Sequence, residues 1–197
     1  MYPWGHLGVG YVAYTIWCRL FSQRPPPDKP TVLLVFATQL PDLIDKTLQF
    51  VFGIYDGRAV GHSLLVMVSI CAVLFFLGHR YQKSEFAIAF SFGVITHIIA
   101  DTVPALFPNA AGPKPTYLLW PLLRPPSYPV DTPSDHINRF IATLQKMEGQ
   151  SLFQLVTNVL LVEIFVVLTF GLIWAIDGFP GTRTLWRMTF GRLAEKY

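Results

Sequence analysis

Residues 152–176 (LFQLVTNVLLVEIFVVLTFGLIWAI) carry one ionisable side chain, Glu163, and this stretch constrains the fold more than any other. About 20 consecutive apolar residues let a helix cross the hydrocarbon core of a bilayer. Residues 60–78 form a second such run, free of Asp, Glu, Lys and Arg. Three more stretches, 4–21, 31–52 and 86–107, are apolar but interrupted. The interruptions are His6, the run Pro41-Asp42-Leu43-Ile44-Asp45-Lys46, and His97 with Asp101. The expected architecture is an all-α polytopic membrane bundle of five spans, one domain over residues 1–197. Proline removes a backbone donor, so the second span should kink at Pro41 or divide into two half-helices there.

Composition supports lipid as the solvent for the exterior. Charged residues make up 14% of the chain, against about 25% in soluble domains. The net charge of +3 comes from scattered basic residues, which argues against a nucleic-acid partner. Cys18 and Cys71 both lie in apolar runs and read as reduced, buried thiols. Residues 1–5 lack the basic segment of a cleaved signal peptide, so the first apolar stretch is expected to be retained.

The basic residues instead set topology. Arg19, Arg24 and Lys29 follow the first stretch, Arg80 and Lys83 the third, and Arg183, Arg187, Arg192 and Lys196 the fifth. By the positive-inside rule that side is cytoplasmic, giving an outer N-terminus and an inner C-terminus in the plasma membrane. On the other side, residues 104–150 should form a cap rich in proline and aromatics at headgroup level. Its end, residues 134–147, reads as a short amphipathic helix with Ile137, Phe140, Ile141 and Leu144 at helical spacing.

That orientation sends the polar exceptions to one place. His6, Asp42, Asp45, His62, His97 and Asp101 all fall in the outer part of their spans. His97 and Asp101 are four residues apart and share a helical face, as do Asp42 and Asp45 if that turn is helical. Imidazole and carboxylate together suit zinc or a similar divalent ion, and six candidates allow one or two ions. Each residue also has a structural reading. His97 and Asp101 could be a fastening pair, Asp42 a partner of Lys46, Asp45 a helix-end carboxylate, His62 part of a helix start, and His6 interfacial. Jointly those readings weaken, because unpaired acids inside a membrane are expensive. His79 reads as interfacial, and His136 as a solvated helix start or a cap over the site.

The order Trp4-Gly5-His6, Pro41-Asp42-Leu43-Ile44-Asp45, Gly61-His62-Ser63, His97-Ile98-Ile99-Ala100-Asp101 resembles the YdjM-like family of membrane-bound, predicted metal-dependent hydrolases. The resemblance covers about residues 4–105 and is distantly similar to zinc-dependent phospholipase C. It implies metal ligation by His6, Asp42, Asp45, His62, His97 and Asp101. Many members carry His-Arg where Gly57-Arg58 stands here, and Arg58 could bind an anionic oxygen. The reading that follows is hydrolysis of a phosphoester or lipid-like substrate at the outer membrane surface. Asp42 or Asp45 would accept a proton from water, and Arg58 would steady negative charge. The competing reading is a metal- or proton-binding membrane protein without catalysis (a sensor, transporter or scaffold), which Glu163 favours. Phospho-histidine membrane phosphatases are disfavoured. Arg124-Pro125 and Pro133-Ser134-Asp135-His136 echo their motifs, but the order relative to His97 and Asp101 is reversed.

Overall fold

A computed structural model describes residues 2–54, 57–103, 114–126, 133–146 and 159–194. Among the described residues the chain is all helix, without a strand. Helix α1 (Pro3–Trp17) starts on a proline, whose missing N–H costs nothing in a first turn. A π-helical turn, Cys18–Ser22, extends it. Next come α2 (Asp28–Ala37), α3 (Leu40–Phe50), α4 (Leu64–Arg80) and α5 (Ser84–Thr102). A 3-10 turn spans Thr116–Leu119, and α6 (Pro133–Lys146) falls where the amphipathic helix is expected. Helices α7 (Val159–Ile176) and α8 (Thr182–Ala194) follow. Residues 104–113, 127–132 and 147–150 of the expected cap, and residues 152–158 of the last apolar stretch, lie outside the described residues.

The second apolar stretch is two helices rather than one. Thr38 and Gln39 form a turn, and Pro41 sits in the first turn of α3. The third helix starts later than its apolar run, because Ser63 caps it by accepting from the Val66 N–H. Among the described residues, α5 alone is by length and composition apolar and long enough to cross a bilayer, while α4 and residues Leu161–Ile176 are shorter apolar helices.

Contacts between named residues fix the relative directions. His6 meets His97, Tyr14 meets Phe92 and Arg24 meets Glu85, so α1 runs antiparallel to α5. The Arg24–Glu85 pair is largely exposed and contributes at most about 1 kcal/mol, so packing sets this arrangement. Leu34 and Ala37 lie against Gly93, and Thr38 reaches His97, so α2 runs parallel to α5. Helix α7 runs parallel to α1. Glu163 meets the start of α1, while Asp177, just past α7, accepts from Tyr11 Oη and Thr15 Oγ1 and pairs with Arg19.

Polarity is inverted relative to a soluble protein. His6, Asp45, His62, His97, Asp101 and Glu163 are buried, while Phe76, Phe165, Leu168 and Leu172 stand on the outside. Such a distribution is favourable where lipid replaces water as solvent. Cys18 is buried, Cys71 half-buried, and both are free thiols.

Close packing of α2 on α5 depends on Gly93. A Cβ there would stand 2.6 Å from Ala37 Cβ and 2.9 Å from the Leu34 carbonyl oxygen. Replacing Gly93 with leucine should therefore lower the thermal midpoint of the detergent-solubilised protein, by the equivalent of about 1–3 kcal/mol of overpacking. Gly171→Ala, whose Cβ would meet nothing within 4 Å, should leave that midpoint unchanged or raised.

Candidate metal centre

The expected ligands meet at the end of the bundle where α1, α3 and α4 begin and α2 and α5 stop. His97, one turn before the end of α5, places Nδ1 2.6 Å from the Thr38 carbonyl oxygen. A carbonyl only accepts, so Nδ1 carries the proton. That carbonyl is available because α2 ends there, and terminal helix carbonyls lack partners within the helix.

His62 is fixed in the same way. Its Nδ1 lies 2.8 Å from Asp45 Oδ2. Asp45 also accepts from the Ala59 N–H at 2.9 Å and from the Gly61 N–H at 2.8 Å, so it meets His62 as an acceptor. The loop reaches Asp45 only because residue 61 is glycine, since any Cβ there would overlap the Pro41 carbonyl oxygen. Ser63 ties the same loop outward by donating to the Trp120 carbonyl at 2.6 Å.

In the neutral state that metal binding requires, an Nδ1 proton on each imidazole leaves a lone pair on each Nε2. The two Nε2 atoms face each other at 3.2 Å. Asp101 Oδ2 stands 3.4 Å from His62 Nε2 and 3.8 Å from His97 Nε2, and Asp42 Oδ1 is 3.7 Å from each. One ligand atom from each of Asp42, His62, His97 and Asp101 falls within a sphere of contacts no wider than 4.8 Å. Two imidazole lone pairs and two carboxylates converging on one point leave it strongly negative. Arg58 supplies one compensating charge, donating from Nη2 to Asp101 Oδ2 at 2.5 Å. The donor set fits a divalent cation, with each imidazole oriented by an outer hydrogen bond as metal-binding histidines usually are.

His6 and Asp45 stand apart from that sphere. The His6 ring stacks on His97 with centroids 3.8 Å apart, and its Nε2 lies 3.3 Å from Asp101 Oδ1. Among the described residues neither ring nitrogen of His6 finds a hydrogen-bond partner, although the residue is buried. Asp101 thus presents one oxygen to His62 and His97 and the other to His6. Asp45 is behind His62, with its oxygens given to the loop and to the imidazole. Arg58 and Asp42 side chains are each 31% exposed, whereas His62, His97 and Asp101 are at most 2% exposed, so the cluster opens on the Arg58–Asp42 side.

Two contributors have no ligand-like signature in sequence. Thr38 acts through its backbone, and only the nearby Pro41 hints at a freed carbonyl. Tyr117, in the aromatic segment expected at headgroup level, is buried with its ring edge-on to His62 and the Arg58 guanidinium 5.8 Å above it. His79 is exposed at the opposite end of the bundle. The side chain of His136 lies outside the described residues. Glu163 is buried on α7, where Oε1 accepts from the Tyr2 N–H at 2.9 Å and Oε2 has no hydrogen-bond partner among the described residues.

A family model described as YdjM inner membrane protein matches residues 1–178. The chain belongs to the YdjM inner membrane protein family. No curated protein and no solved structure matches it. The YdjM match reaches well past the four motifs that suggested it, taking in Tyr117 and Glu163 and ending before α8. A membrane location follows for this YdjM family member, in agreement with its apolar exterior.

Asp45 offers the sharpest test of the geometry. Asparagine there places an NH2 against at least one of its three donors, and facing His62 it would favour the tautomer that protonates Nε2. Asp45→Asn should weaken divalent-cation binding by about 10–100-fold, the usual effect of losing such an outer partner, in competition with a chromogenic chelator. An unchanged affinity would place Asp45 outside the machinery that orients His62.

Proposed function

We propose that this protein is a membrane-bound, metal-dependent hydrolase acting on a phosphoester or lipid-like substrate at the outer surface of the plasma membrane. The observation that carries the reading is the pair of Nε2 lone pairs held 3.2 Å apart with two carboxylates beside them. His62, His97, Asp101 and Asp42 would hold the ion, zinc being the natural occupant of a nitrogen and oxygen set of this kind. A second ion could use His6 and the outer oxygen of Asp101. The bound cation supplies Lewis acidity, which polarises a phosphoryl or acyl oxygen and makes a nearby water more acidic.

The chain's own groups divide the remaining work. Asp42, at the open side, is placed to take a proton from water. Arg58 can turn from Asp101 toward an anionic oxygen once a cation shares that carboxylate, and guanidinium grips phosphate bidentately. Asp45 and the Thr38 carbonyl keep both imidazoles in the binding tautomer. Leu43, exposed next to Asp42 on α3, gives that rim an apolar side suited to an acyl chain.

The topology we propose is five crossings, with the α2–α3 pair counted as one, an outer N-terminus and an inner C-terminus. The parallel course of α1 and α7, and of α2 and α5, supports it, because first and fifth crossings, like second and fourth, must point the same way.

The second reading is a cation- or proton-binding membrane protein without turnover. Glu163 favours it, as a buried acid with one oxygen unpartnered among the described residues.

Metal analysis of detergent-purified protein, followed by a panel of aryl phosphoesters and short-chain phospholipids, separates the two readings. Wild type should retain a stoichiometric divalent ion and hydrolyse at least one substrate. Asp101→Ala should lose both, and turnover surviving in that variant would sink the hydrolase mechanism. Metal retained without any hydrolysis favours the second reading. Arg58→Gln should keep the metal while raising KM for anionic substrates, read as a separate KM and kcat in steady-state assays.

A further inference from the structure

Helix α8 lies beyond the residues that match the family model, and its attachment to the bundle is unusual. The chain leaves α7 through a sharp turn in which Gly178, Phe179 and Gly181 all have positive φ. Asp28, in the first turn of α2, then receives the start of α8. Its Oδ1 accepts from the Gly181 N–H at 2.6 Å, and its Oδ2 accepts from the Thr184 N–H at 2.8 Å and from the Thr184 hydroxyl. A carboxylate at a helix N-terminus satisfies otherwise unpaired donors and opposes the positive end of the helix dipole. Asp28 therefore caps α8 from another helix, level with the end of the bundle opposite the metal centre.

Past that cap the described side chains are bare. Residues 185–190 are all exposed, among them Leu185, Trp186, Met188 and Phe190, with the Trp186 and Phe190 rings 4.5 Å apart. Arg183 and Arg187 are exposed on the same helix, Arg192 follows in sequence, and Thr182–Ala194 contains no acid. Tryptophan and arginine interspersed with apolar residues, just after a membrane helix, are the composition of a segment lying in the headgroup layer. Basic residues near an anionic leaflet are each attracted to it.

We infer that α8 is an interfacial helix that binds anionic lipid headgroups, with Trp186 seated at the acyl boundary and Arg183 and Arg187 on lipid phosphates. Asp28 holds it against the end of the bundle so that this face meets the bilayer. The test uses the full-length protein reconstituted in two kinds of vesicle, phosphatidylcholine alone and equal parts phosphatidylcholine and phosphatidylglycerol. Both are doped with phosphatidylcholine brominated in its acyl chains. The Trp186 signal is read as wild type minus Trp186→Phe. It should be quenched more strongly in the anionic vesicles, and the gain should vanish in the Arg183→Gln/Arg187→Gln variant and in molar salt. Both arginines are exposed, so the variant should keep the wild-type thermal midpoint. Quenching of the other tryptophans reports insertion of the bundle itself and separates a failed reconstitution from a failed proposal. Equal Trp186 quenching in the two vesicles, or a gain that survives loss of both arginines, would overturn the assignment and leave α8 as a surface for a soluble partner.

Discussion

Two imidazoles held lone pair to lone pair, with carboxylates beside them and almost no water access, form an arrangement that a folded protein does not keep without positive charge between them. His62 and His97 cannot relieve the conflict by changing tautomer, because each Nδ1 proton is already donated, one to Asp45 and one to the Thr38 carbonyl. Most of the surrounding architecture serves to impose that constraint. The α2–α3 break exposes the Thr38 carbonyl, Gly61 lets the loop close on Asp45, and Gly93 allows α2 to approach α5 closely enough for the Thr38–His97 bond. Removing one partner of a buried charged pair typically costs about 3–5 kcal/mol, so the cluster is a liability for stability unless an ion or a ligand compensates it.

How much of this was legible in sequence depends on the range of each interaction. The clustering of Asp42, His62, His97 and Asp101 was legible because histidine and aspartate are rare inside apolar runs, and because His97 and Asp101 repeat at a helical interval. The break at Pro41 was legible because a proline's missing donor is a local fact. The position of Asp45 was not. Spacing places it on the same face as Asp42, yet the loop at residues 59–62 returns to claim its oxygens, and no local pattern encodes that return. Tyr117 was hidden for a similar reason, since its segment reads as a headgroup-level cap from composition alone while its ring is buried against His62 and Arg58. The late start of α4 was encoded more faintly, in a serine that favours capping over continuing the helix.

Helix α7 shows how the bundle keeps its polar interior away from lipid. Glu163 near its start and Asp177 just beyond its end both turn toward α1, one holding the Tyr2 backbone and the other a group of hydroxyls with Arg19. Between them Tyr11 sets its ring edge-on to Phe170, and Gly8 lets the two helices approach so closely that a Cβ would stand 2.7 Å from Val166 Cγ1. Polar contacts at both ends and close van der Waals packing between them are what association requires where lipid offers no hydrophobic drive. Clamping α1 in this way has a consequence for the site. His6 is one turn from the Glu163 contact, and its ring is the wall on which His97 stacks.

The two ends of the bundle follow opposite electrostatic logic. At the Asp28 end each described acid is matched, Asp177 by Arg19, Glu85 by Arg24 and Asp28 by the donors at the start of α8. At the other end Asp42, Asp45 and Asp101 gather around two imidazoles, with the Arg58 guanidinium among them. A structural network would be expected to resemble the first end, with donors and acceptors paired off. Only the second end leaves lone pairs pointing at a common centre, and it does so beside an opening flanked by Arg58, Asp42 and the exposed Leu43. A divalent ion would neutralise that negative pocket and free Arg58 for an incoming anion. The same atoms that make the empty cluster costly would then make the occupied one attractive to a phosphorylated amphiphile.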